Sequence, residues 1–575
     1  MLALRLLFAA AVVLPALPCA EVARAASAAP VAAENGMVAT AQHLASEVGV
    51  RILRQGGNAV DAAVAVGYAL AVVYPAAGNL GGGGFMTIQM ADGRKRFIDF
   101  REKAPLAARP DMYLGPDGKV IEGLSTQGHL AVAVPGTVAG LEMALERYGS
   151  MKRKDVIAPA IGLAREGFVL DEGDARMLRF AAEDFRRDPA SAAIFLKAGQ
   201  PLEAGDRLVQ ADLARTLQRI QDEGARGFYG GVTGAALLAS SVRGHGILSQ
   251  ADLDGYQARE RDPVECDYRG YHVVSAPPPS SGGVVLCEML NVLEGYPLRS
   301  LGYHSAKSVH VMIEAMRHAY ADRGRLLGDP DFVSDPVDRL LDRSYAASIR
   351  AAIDPERAGD SAALAGGAAA HEGSNTTHYS IIDRSGNAVA VTYTLNGWFG
   401  ARVAAAGTGV LLNDEMNDFA LKPGAPGGAE PAQAGVNAIA PGKRPLSSMT
   451  PTILTKDGKV FLVAGTPGGG RIPTTMLQVI VNLLDFGMDI QEAVDAPRFH
   501  QLWQPDATQV ERYALSADTQ ERLLAMGHKL VDRSNANHVD AILVGAPAVG
   551  AEPVGRNRYY GANDPRRGTG LALGY

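Results

Sequence analysis

The chain has 575 residues, 47% hydrophobic and 20% charged, with a formal net charge of −7 and a sequence pI of about 6.0. That balance supports a large buried core and excludes a disordered or collagen-like chain. No Lys/Arg-rich run or basic stripe occurs, which argues against nucleic acid as the main partner.

The first element in chain order is an export signal. Arg5 supplies a short basic region, 6–17 is an apolar stretch too short to span a bilayer, and Ala23-Arg24-Ala25 is an A-x-A cleavage signature. Residues 1–25 are therefore expected to be removed. No later stretch reaches about 18 consecutive uncharged apolar residues, so no stable membrane span is expected. The mature protein is expected in the periplasm or outside the cell. Cys19 leaves with the signal. Cys266 and Cys287 either pair or remain buried thiols, since sequence supplies no Cα separation.

Residues 45–54 read as a helix that stops at Gly56-Gly57. Residues 85–90 and 94–100 alternate around Asp92-Gly93 as a hairpin. From Gly136 to about Ser240 the pattern is mostly helical, 271–275 is a short strand, a helix begins near Gly283, and 304–326 is a long amphipathic helix. Residues 354–374 are rich in Ala and Gly and read as an exposed, mobile connection. The pattern then turns to β: strands over 377–383 and 388–394, a hairpin from 452–455 to 460–465, and a buried helix over 474–486. A loose connection that runs straight into a core strand fits a cleavage site.

The junction is Asn375-Thr376-Thr377-His378-Tyr379-Ser380. A cut before Thr376 leaves a hydroxyl and a free α-amine on one residue. An α-amine has a pKa of ~7.7–8.0, so it can act as base for the adjacent hydroxyl. The same hydroxyl can make the cut by attacking the Asn375 carbonyl in an N-to-O acyl shift. Asn375-Thr376-Thr377 also matches a glycosylation sequon, and Thr is common at strand starts.

The surrounding motifs decide between these readings. Thr376-Thr377-His378-Tyr379-Ser380, Gly386 through Asn396, Leu411 through Phe419, Lys443 through Pro451 and Gly465 through Gly470 resemble the γ-glutamyltransferases, in that family's order. Upstream, Gly56 through Ala63, Asn79 through Met86, Asp99-Phe100-Arg101-Glu102, Pro277 through Gly283 and Tyr320-Ala321-Asp322-Arg323 agree, as does the tail Gly561 through Arg566. The resemblance spans essentially the whole mature chain.

The resemblance implies an α+β fold: a four-layer αββα sandwich of the N-terminal-nucleophile hydrolases, with two stacked, mostly antiparallel sheets. It implies self-cleavage at Asn375-Thr376 into a large subunit, 26–375, and a small subunit, 376–575, as a heterodimer that is one folding unit. Thr376 would be the nucleophile, oriented by Thr394, with backbone N–H groups of Gly468 and Gly469 as the oxyanion hole. Arg101 would hold the donor's α-carboxylate, aided by Ser447 and Ser448, because a guanidinium binds a carboxylate bidentately. Asn396, Glu415 and Asp418 would bind the α-ammonium. Glutathione and related γ-glutamyl compounds would be donors, and water, amino acids or peptides acceptors, with no cofactor and no metal.

Two rivals are a glutaryl- or cephalosporin-acylase-like amidase with the same nucleophile, and an uncleaved exported binding protein. One departure stands out: the loop at 423–429 lacks an aromatic residue where the family often has one closing over the donor. Trp398 either lines the pocket or belongs to the core. Gly81 through Gly84 lacks the spacing of a phosphate loop. His310, Glu314 and His318 share a helix face, but no H-E-x-x-H occurs to make them a metal site.

Overall fold

The computed structural model describes residues 27–364, 375–422, 435–533 and 537–575. The export signal, 365–374 and the loop at 423–429 lie outside the described residues.

Two seven-stranded sheets form the centre, and every neighbouring pair within them is antiparallel. The first runs in space Leu571–Gly574, Met37–Thr40, Thr377–Ile382, Ala388–Thr394, Gly83–Gln89, Lys95–Phe100, Arg259–Arg261. The second runs Val31–Ala33, Tyr559–Asn563, Asp540–Val544, Lys459–Gly465, Thr452–Lys456, Tyr271–Ser275, Val264–Tyr268. Small apolar side chains fill the space between them, among them Ala39, Ala388, Ala390, Ile453, Val463 and Ile542. Strands buried on both faces need apolar residues throughout, which is why Ala388–Thr394 reads Ala-Val-Ala-Val before its threonines.

Helices cover both outer faces. Ala59–Val73, Thr137–Tyr148 and Arg153–Glu166 share the core behind the first sheet. Gly282–Leu293, Ala306–Leu326 and Ile472–Leu484 share the one behind the second. The architecture is thus the αββα sandwich. Strands from before residue 365 and from after residue 375 build both sheets, so the two parts share one core.

The helix Ala59–Val73 is buried on all sides. It is held at its start by a reciprocal cap: the Asn58 side chain accepts from Val60 N and Asp61 N, and Asp61 accepts from Asn58 N at 2.8 Å. Such a cap contributes about 1 kcal/mol. Cys266 and Cys287 form a disulfide with Cα atoms 5.9 Å apart, which selects the paired alternative.

The connection leaving the helix Arg343–Ala352 is exposed along most of 354–364, as expected, but it is tied down. Ala358 N donates to Met526 O at 2.7 Å, Trp503 Nε1 to Ser361 O at 2.7 Å, and Arg317 to the Ser361 hydroxyl.

Candidate active site

Thr376 stands immediately before the strand Thr377–Ile382, and Thr394 ends the strand beside it. The register pairs Thr377 with Tyr393, so the hairpin sets Thr376 across from Thr394. The Thr376 hydroxyl donates to Thr394 Oγ1 at 3.3 Å, and Thr394 Oγ1 donates to the Asn375 carbonyl at 2.9 Å. Asn396 N donates to the same Thr394 oxygen at 2.7 Å. One hydroxyl therefore orients both sides of the Asn375–Thr376 peptide. Thr376 and Thr394 are both buried.

The approach of other chain segments depends on missing side chains. A Cβ on Gly82 would lie 2.0 Å from Thr394 O, and one on Gly83 would lie 2.6 Å from Glu102 Oε2. The glycine run at 81–84 therefore serves close packing behind the site.

Arg101 follows the strand Lys95–Phe100 and points into the same end of the sandwich. It is 1% exposed. Its Nη2 donates to Asp418 Oδ2 at 2.5 Å, its Nη1 to Glu415 Oε1, and its Nε to Pro445 O at 3.2 Å. Glu415 and Asp418 come from a single turn of 3-10 helix, Glu415–Asp418, which brings both carboxylates to one guanidinium. Burial works against the charge of Arg101, but Glu415, Asp418 and Glu102 outweigh it and hold the guanidinium more firmly protonated than usual.

The same burial acts on the acids. It pushes the Glu102 carboxyl up to about 7 against the pull of Arg101, and Asp414 up to about 8. Glu415 is likewise raised by burial, with Arg101 opposing. The oxygens of Glu102 and Glu415 Oε2 accept no hydrogen bond among the described residues.

Ser447 and Ser448 precede the strand Thr452–Lys456 and are buried. Ser447 is fixed through its backbone N, which donates to Pro279 O at 2.9 Å. Gly468 and Gly469 follow the strand Lys459–Gly465 and lead into the helix Ile472–Leu484. Gly468 has φ 131°, a conformation that L side chains rarely adopt. A Cβ there would lie 2.1 Å from Asn537 Nδ2. The Tyr320 hydroxyl donates to Gly470 O and anchors this turn.

These elements line a small cavity of about 10 Å³, walled by Arg101, Thr376, Thr394, Asn396, Glu415, Asp418, Ser447, Ser448 and Gly469, with Met449 and Ile472. Every residue singled out for the site lines this cavity except Gly468, one residue from it in sequence, and Asn375, which precedes Thr376. Chemically the cavity presents a hydroxyl at one end and a buried cation with two carboxylates at the other.

The matching family model, Gamma-glutamyltranspeptidase, covers residues 45–574. The chain belongs to the gamma-glutamyltranspeptidase family. It is 64% identical over 570 residues to a glutathione hydrolase proenzyme of Pseudomonas sp. (strain A14), covering 99% of each chain. It is 47% identical over 548 residues to the glutathione hydrolase proenzyme of Escherichia coli (strain K12), covering 95% of this chain and 93% of that one. Among solved structures, a cephalosporin acylase from Bacillus halodurans superposes with a TM-score of 0.82 at 27% identity, covering 98% of this chain and 99% of that one.

In this member of the gamma-glutamyltranspeptidase family, Trp398 takes the core alternative, and the His310 and Glu314 face gathers with a different partner. Trp398 does not line the cavity; it is half-buried against the core, edge-on to Phe180 with ring centroids 4.9 Å apart. His310 and Glu314 gather with His528, not His318. His310 Nδ1 and His528 Nε2 share a hydrogen bond at 2.8 Å, and Glu314 pairs with Arg317.

Sequence reasoning did not single out Glu102, Asp414 or Tyr320 by role. Each stood inside a quoted motif, but only burial and contacts separate a buried acid from a solvated one.

Proposed function

We propose that the chain is a γ-glutamyltransferase and glutathione hydrolase that cleaves itself at Asn375-Thr376. The observation that carries this reading is the Thr394 hydroxyl, shared between the Thr376 hydroxyl and the Asn375 carbonyl, beside a buried guanidinium and its two carboxylates.

Maturation begins when Thr376 Oγ bonds to the Asn375 carbonyl carbon. The peptide C–N bond breaks, and the hydroxyl proton passes to the freed nitrogen. Water then cleaves the ester, leaving Asn375 as a carboxylate and restoring the hydroxyl. The new α-amine of Thr376 serves as its base. In turnover, Thr376 attacks the γ-glutamyl amide, Gly468 and Gly469 N–H groups hold the oxyanion, and the amine leaves with the proton. Water, an amino acid or a peptide then accepts the acyl group from the γ-glutamyl-Thr376 ester.

A free amino-acid head group carries one carboxylate and one ammonium. Its carboxylate replaces Glu415 and Asp418 on Arg101, with Ser447 and Ser448 adding donors. Its ammonium takes the place of Arg101 beside Glu415, Asp418 and Asn396. The exchange keeps every buried charge paired, which a glutaryl group without the ammonium does not. Export through residues 1–25 and a heterodimer of 26–375 with 376–575 complete the reading. Among the described residues no helix is long and apolar enough to cross a membrane.

The acylase reading draws on the similarity to the Bacillus halodurans cephalosporin acylase. The acid pair on Arg101 counts against it. Denaturing electrophoresis of wild type beside T376A tests the cleavage: two fragments are expected from wild type and one full-length band from the variant. A full-length band from both contradicts it.

A further inference from the structure

Arg567 lies on the turn between the strands Tyr559–Asn563 and Leu571–Gly574, and no motif pointed to it. It is 7% exposed. Its Nη1 donates to the Tyr74 hydroxyl at 3.2 Å, and its guanidinium carbon stands 5.2 Å from the centroid of the Trp398 ring. Its backbone oxygen accepts from Arg176 Nη2 at 3.0 Å. From this fixed seat its Nη2 reaches Asn375 Oδ1 at 3.4 Å. Asn375 is thus held twice, by its carbonyl on Thr394 at 2.9 Å and by its side chain on Arg567.

We propose that Arg567 is a positioning residue for self-cleavage, acting through the Asn375 side chain to keep the Asn375 carbonyl on the Thr394 hydroxyl and within reach of Thr376. The inference rests on the self-cleavage proposed above. Two anchors on one residue fix the plane of the scissile peptide, where a single anchor leaves it free to swing. Displacing a reacting carbonyl by about 1 Å slows a step by about 10²-fold. A guanidinium suits the task because its planar fork bonds Tyr74 and Asn375 at once while its face rests on an aromatic ring. As Thr376 Oγ bonds to the Asn375 carbon, an electron pair moves onto the Asn375 oxygen. The Thr394 hydroxyl and a nearby fixed cation both favour that charge. When the C–N bond has broken and water has cleaved the ester, the new Asn375 carboxylate forms in the same place.

Arg567 also ties Trp398 to Tyr74, so a slowed variant alone would not separate positioning from packing. A double-mutant cycle does. Precursors made by cell-free translation are followed by denaturing electrophoresis for wild type, R567A, N375A and the double variant. Each single change is expected to slow cleavage by about tenfold or more. The double variant is expected to be no slower than the slower single, because both remove one contact. Fold-changes that multiply in the double variant, or R567A cleaving within about twofold of wild type, would overturn the proposal. If R567A lacks a cooperative melt, R567K replaces it in the cycle, with the same non-additivity expected and the same result overturning it. A wild-type chain that never cleaves overturns the self-cleavage reading and this role with it. A wild type that cleaves with R567A at its side overturns this role alone.

Discussion

The two ends of the cavity are built from opposite materials. At the nucleophile end, Thr376, Thr394, Asn396 and Asn375 meet through neutral hydrogen bonds of 2.7 to 3.3 Å. At the other end, proposed for the head group, Arg101 meets Glu102, Glu415 and Asp418, all buried. The first end needs an atom held still, and hydroxyls on paired strands supply most of that, with the Arg567 guanidinium at its edge on Asn375. The second end needs discrimination, and buried charges discriminate strongly because leaving one unpaired costs several kcal/mol. The difference teaches that position and selectivity are separable here and are tested by different substitutions.

Removing the nucleophile breaks the first end outright. T376A is expected to abolish both self-cleavage and turnover, a loss of about 10⁴-fold or more, read by electrophoresis and by hydrolysis of a γ-glutamyl anilide. Breaking the second end comes next. R101A leaves Glu415 and Asp418 as buried acids without their cation, at about 3–5 kcal/mol. That corresponds to a loss of about 10²–10⁴-fold in kcat/KM for a γ-glutamyl donor, with T376A-like loss of cleavage not expected.

Thr394 sharpens the comparison from the neutral side. T394A strips a partner from the Asn375 carbonyl, Asn396 N and the Thr376 hydroxyl, at about 1–3 kcal/mol. Self-cleavage is expected to slow by about 10–100-fold, and T394S to recover most of it. Donor KM measured on whatever matures should move little.

The smallest effect concerns pH. The Glu102 carboxyl sits at about 7, raised by burial, while an unfolded Glu titrates near ~4.3. Between those values the folded protein holds a proton that the unfolded chain has released, so stability falls as pH rises through that window and levels off above it. E102Q removes this titration. Its Tm relative to wild type is expected to rise between pH 5 and pH 8, by about 1–3 °C. A relative Tm that stays flat or falls across that range would argue that Glu102 is ionised beside Arg101 throughout.

The parts of the fold that sequence made legible are those with a signature of their own. The hairpins over 83–100, 377–394 and 452–465 show strand residues around short turns, and the structure places them within a residue or two of expectation. The helix Ala59–Val73 gave no such signal, because a helix buried on every side has no polar stripe to mark its period. The strand Asp540–Val544 is five residues of a central sheet and too short to stand out. In the site, motif order pointed to the residues that converge, whereas Arg567 owes its interest to Tyr74, Trp398 and Asn375, which lie 493, 169 and 192 positions away in the chain. No local pattern can carry that. Trp398 shows the reverse: its rarity drew notice, but the core claims it.

The measurement that bears most directly on the head-group reading is kcat/KM for a γ-glutamyl anilide against the matching glutaryl anilide, which lacks only the α-amine. A site that pairs the ammonium with Glu415 and Asp418 is expected to prefer the γ-glutamyl compound by about 10⁴-fold. Comparable rates on the two would leave Thr376 as nucleophile but contradict the head-group site, and would make the protein an acylase.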